Sequence, residues 1–105
     1  MSDNHEVAEM LTGLASRVNN LATDTTGSDS RTLTTQQIQL TNLSNQAIAL
    51  DLDNDAIEYD NAVSALTDAT STADDATHDV NEIASVISDV GKVIGVVTKL
   101  LTLAA

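Results

Sequence analysis

The chain has 105 residues, a net charge of −12, an apolar fraction of 42% and one aromatic side chain, Tyr59. A surface this acidic repels phosphate backbones and works against docking on anionic lipid, which argues against nucleic-acid binding and a purely electrostatic membrane anchor. Without cysteine there is no disulfide framework, thiolate nucleophile or zinc–thiolate site, and without large aromatics any core must be built from Leu, Ile, Val and Ala.

The opening residues, MSDNHEVAEM, are acidic and polar, so no Sec signal peptide is expected. The chain is expected in the cytoplasm, or outside the cell by a route that needs no such signal. Asp3 and Glu6 have the spacing of a capping box at a helix start. Val7, Leu11, Leu14, Val18 and Leu21 then fall at steps of four and three, one stripe of an amphipathic helix over 1–22. Residues 23–30, TDTTGSDS, favour turns through Gly27 and clustered hydroxyl and Asp side chains. A polar linker is therefore expected over 23–33, and Thr34 with Gln37 offers a second capping box.

Between Gly27 and Gly91 lie 63 residues without Gly or Pro. Ordinary sequence carries roughly 12% of the two together, so a region 34–105 dominated by helix is expected. Leu40, Leu43, Ala47 and Leu50 begin one heptad phase, which Asn54, Ile57 and Asn61 carry on with two polar residues in the seam. A buried Asn can set register and oligomer number; exposed after a slip of phase, it does neither. From Leu66 the pattern is strict: Ala69, Ala73, Ala76, Val80, Ile83, Ile87, Val90, Ile94, Val97, Leu101 and Ala104 follow in alternating steps. The phase shifts by about two residues across DLDNDAIEYDN (51–61), and TSTADD (70–75) is a second weak point. With no Gly or Pro at either place, one long or mildly bent helix is favoured over a hairpin. The expected fold is all-α: a short N-terminal helix and a long heptad-patterned amphipathic helix, assembling as a coiled coil or helical bundle.

With Leu66 at heptad position a, the tail places Val80, Ile87, Ile94 and Leu101 at a and Ile83, Val90 and Val97 at d. These seven residues are the candidate interaction seam. Val86, Val93 and Leu100 at g are apolar too, so the stripe is wider than a two-stranded coiled coil needs. Ser85, Lys92 and Lys99 share position f, opposite the seam. A membrane span needs about 20 mostly apolar residues. Lys92 and Lys99 interrupt the tail, and Val93 to Ala105 is only 13 residues. An amphipathic helix lying in the interface is the more credible membrane form.

Two constellations carry side chains that could do chemistry. Asp51, Asp53 and Asp55 copy the start of an EF-hand loop, but Ala56 and Ala62 stand where it needs Gly and a bidentate Glu. Asp75, His78 and Glu82 share one face of a continuous helix, yet they occupy outward heptad positions rather than the inward ones of di-iron bundles. No nucleophile elbow, phosphate loop or zinc-protease motif is present. Neither metal, cofactor, small-molecule substrate nor catalysis is expected.

The composition, free of cysteine, poor in aromatics and rich in Asn, Thr, Ser, Ala and Asp, resembles that of flagellin-type and type III secretion filament subunits. That resemblance is one of composition, and it implies a helical assembly subunit. The expected role is a structural, self-assembling protein whose partner is a second copy or another helical protein. The alternative is a membrane-active protein, such as a component of a pore-forming system, that uses its apolar C-terminal helix.

Overall fold

A computed structural model of the chain describes residues 4–50, 52–53 and 55–104, with side chains from Glu6 onward. Four helices follow one another: α1 (Asn4–Asp24), α2 (Gly27–Ala49), α3 (Ile57–Ala76) and α4 (Ile83–Ala104), the last entered through a short 3₁₀ turn, Val80–Glu82. Every regular element among the described residues is helical.

The α1 stripe is buried as its spacing predicts, with Val7, Leu11, Leu14, Val18 and Leu21 joined by Ala8, Ala15 and Ala22. The capping box proposed at Asp3 lies outside the described residues. The linker expected over 23–33 contracts to Thr25 and Thr26 between helices. Gly27, at φ 76°, turns the chain back in the left-handed region that other residues avoid. The Ser30 hydroxyl donates to the Ala22 carbonyl at 2.8 Å, satisfying an acceptor at the end of α1. Thr34 is therefore no N-cap. Its hydroxyl donates to the Ser30 carbonyl one turn back, and Thr35 does the same to Arg31, so these residues sit inside α2.

The long helix favoured over 34–105 is divided twice. The first break, between Ala49 and Ile57, falls in the segment where the heptad phase slips. There Asp53 Oδ1 accepts from the Asp55 N–H at 3.0 Å, and Leu52 tucks into the core. The second follows Ala76, just past TSTADD, which itself stays helical in α3. Neither break contains Gly or Pro. Docking of the helices on one another favours them, since a stripe this apolar can be covered within the chain only if the chain folds back.

The packing follows a simple scheme. α1 and α2 form one hairpin, α3 and α4 another, and the hairpins stack with α1 along α3 and α2 along α4. Within each hairpin the helices are antiparallel; across the stack they are parallel. Tyr59 and Glu6, near the starts of α3 and α1, come within 3.4 Å, and Arg17 and Asp74, near their ends, within 2.8 Å. The bundle measures 39 × 19 × 19 Å with a radius of gyration of 13.3 Å. A chain of this length packed as one domain is expected at about 13 Å.

The core is aliphatic throughout. Leu11, Leu14, Leu33, Leu40 and Leu66 are wholly buried alongside Val86, Val90, Val93 and Val97 of α4. α3 contributes mainly alanines, Ala62, Ala65, Ala69, Ala73 and Ala76, which let its neighbours approach closely. Truncating a wholly buried leucine removes its packing contacts and leaves a cavity. Leu66→Ala is expected to lower stability by about 2–5 kcal/mol in urea denaturation, and Ile38→Ala, on the exposed side of α2, by less than about 0.5 kcal/mol.

Candidate interaction surface

α4 is the most apolar helix, and its stripe is the candidate seam. Inside the bundle Ile83, Val90, Val97 and Leu101 are buried, Ile87 and Ile94 are half-buried, and Val80 is 79% exposed. The wholly buried face is centred instead on Val86, Val90, Val93 and Val97. The reason is geometric. α4 packs against both α2 and α3, so its covered arc is rotated from the a/d seam toward the g positions. Ile87 and Ile94 form the shoulder toward α2, and Val96 forms the shoulder toward α3. Sequence spacing identified the g residues as apolar but did not rank them above a.

Polar contacts tie the layers together. The Thr72 hydroxyl of α3 donates to the Asp89 carboxylate of α4 at 2.7 Å. Between α1 and α2 the Ser44 hydroxyl donates to the Ala8 carbonyl at 3.0 Å, with the Thr12 hydroxyl 2.8 Å away. Arg17 joins α1 to α3 through Asp74, an exposed pair worth about 0–1 kcal/mol. Between α2 and α4, Gln36 is 8% exposed and donates through Nε2 to the Ile87 carbonyl at 2.9 Å. Its amide oxygen is buried without a hydrogen-bond donor.

The other constellations disperse. Asp75 and His78 do not share a helix face with Glu82, because α3 ends at Ala76 and a turn intervenes. Asp53 and Asp55 are exposed in the α2–α3 connection, while Asp51 and Asn54 lie outside the described residues. Asn61 is exposed and lines a groove between α3 and α4, so within the bundle it is not a buried seam residue. No group of three or more metal-ligating side chains is brought together among the described residues.

The clefts are open grooves. One of them, of 410 Å³, runs between α1 and α3 and is lined by Glu6, Glu9, Met10, Gly13, Arg17, Thr67 and Thr70. No family model matches the chain, and no curated protein or solved structure is significantly similar to it.

The orphaned Gln36 oxygen generates a prediction. Leaving a buried acceptor unpaired is costly, whereas an apolar residue of similar shape removes both the acceptor and its partner bond. Gln36→Leu is expected to leave stability unchanged or raise it by about 1 kcal/mol. A loss of that size in chemical denaturation would show that the amide oxygen holds a donor.

Proposed function

We propose that the chain is a non-enzymatic structural protein that self-assembles through α4, as a homo-oligomer or filament subunit, or by engaging the helices of another protein. The observation that carries this reading is that α4 holds more apolar surface than its own bundle covers. Ile87, Ile94 and Val96 are half-buried along its flanks, Leu103 near its end is 60% exposed, and Val80 in the 3₁₀ turn that leads into it is 79% exposed. A monomeric bundle helix needs an apolar stripe only as wide as its neighbours, so the excess is available for association. β-branched residues at both a and d suit a multi-helix layer better than a two-stranded coiled coil. The acidic outer faces would keep such an assembly soluble and its units spaced.

Sedimentation equilibrium of the full chain tests this. The mass is expected to rise above the monomer with concentration, and Ile87→Asp combined with Ile94→Asp is expected to return a monomer of reduced helicity. A wild-type chain that stays monomeric at every concentration would rule the reading out.

A second reading draws on the same helix. Lys92 and Lys99 are exposed on the outer side of α4, as an interfacial helix with its apolar face in lipid requires. No helix among the described residues is long and apolar enough to cross a membrane, so such binding would be in the plane of the surface. Liposome flotation across a pH series separates the two. Flotation as the carboxylates become protonated would favour lipid, and retention in the soluble fraction at every pH where the chain is folded would exclude it.

A further inference from the structure

The turn between α3 and α4 is made without any residue that forbids helix. Residues 77–82 read THDVNE, with neither Gly nor Pro, and no described non-glycine residue has a positive φ. Thr77 still has helical backbone angles (φ −67°, ψ −20°). The departure comes at Asp79 (φ −149°, ψ 106°), whose carboxylate accepts from the Asn81 N–H at 3.0 Å in the manner of an N-cap. Residues 77–81 are all exposed, so little tertiary packing pins this turn.

The apolar phase, meanwhile, runs straight through it. In a continuous helix Ala76, Val80 and Ile83 would lie on one face, at steps of four and three. Ala76 and Ile83 are buried in the bundle, yet Val80 between them is 79% exposed. The folded monomer therefore uses both halves of the Leu66–Leu101 stripe and leaves its midpoint in water.

Resting on the assembly reading above and specifying its partner, we propose that α3 and α4 fuse through residues 77–82 into one helix and that two chains exchange their α4 helices. Each α4 then occupies the slot against α2 and α3 of the other chain and repeats there the contacts it makes at home. The partner is a second copy of this chain, because the slot is shaped to the side chains that already fill it: Val86, Val90, Val93 and Val97 are wholly buried there. The surface created by exchange is the antiparallel crossing of the two fused segments, with Val80 at its centre. Asp79 and Glu82 flank that crossing and bring like charges together there, so salt favours the exchanged form.

The test uses the full chain at roughly millimolar concentration in about 1 M KCl, where the Debye length is about 3 Å. Thr72→Cys and Asp89→Cys supply the only thiols, at positions whose native side chains are 2.7 Å apart, and a short bismaleimide joins them. After exchange the pair belongs to different chains, and covalent dimers are expected on a denaturing gel. A dimer formed side by side gives only intrachain links and runs as monomer. Without the cysteines, Asp79→Ala removes the cap from both turns and is expected to raise the association constant about tenfold. Val80→Asp is expected to lower it by about as much, through like charges at the crossing, while the melting temperature of the monomer stays in place. Assembly with intrachain links alone, or assembly indifferent to both substitutions, overturns the exchange and leaves the assembly reading standing. A chain that is monomeric in every variant overturns both.

Discussion

The burial of the α4 stripe between α2 and α3 is the contact on which the rest of the bundle depends. A chain with one aromatic residue cannot anchor its core on a few large side chains, so it must cover many small aliphatic ones. At about 25 cal/mol per Å² of apolar surface, alanines contribute little each, and α3 offers mostly alanines to its neighbours. The valines and leucines of α4 supply the depth that α3 lacks. Its placement also decides the connections: for α4 to reach both α2 and α3, the chain must turn once after Ala49 and again after Ala76.

Around this thin core lies a shell whose charge opposes compaction. Sixteen carboxylates face four Lys and Arg side chains, and the ion pair present among the described residues, Arg17 with Asp74, is exposed. Helix pairing across the bundle is therefore held by hydrophobic contact and by uncharged or singly charged hydrogen bonds such as those of Ser44, Gln36 and Thr72. Screening by salt weakens the opposing term and leaves the apolar term in place.

How legible each element was in the sequence follows from what set it. The α1 stripe could be read because the spacing of Val7, Leu11, Leu14, Val18 and Leu21 is both the signal and the cause of burial. α2 starts seven residues before Thr34 because its hydroxyls are used without leaving the helix: Ser30 donates to the Ala22 carbonyl of α1, and Thr34 and Thr35 donate to carbonyls one turn earlier. The breaks after Ala49 and Ala76 were marked only as weak points, since no Gly or Pro announces them and they answer to tertiary docking. The apolar face of α4 was plain, but a stripe looks the same whether its neighbour is its own chain or another. Its rotation toward Val86 and Val93 follows from having two neighbours, which a single stripe cannot state.

The two-residue connection at Thr25–Thr26 bears on how fast this bundle can be made. α1 and α2 meet with almost no loop to close, so their contacts are local in sequence and cost little chain entropy to bring together. Bundles rich in such contacts fold in microseconds to milliseconds. The two covalent events that usually slow a small domain are missing as well, because the chain has neither proline to isomerise nor cysteine to pair. The molecule has thus been left without an intrinsic slow clock. A refolding phase lasting seconds or longer in the absence of denaturant would point to association between chains.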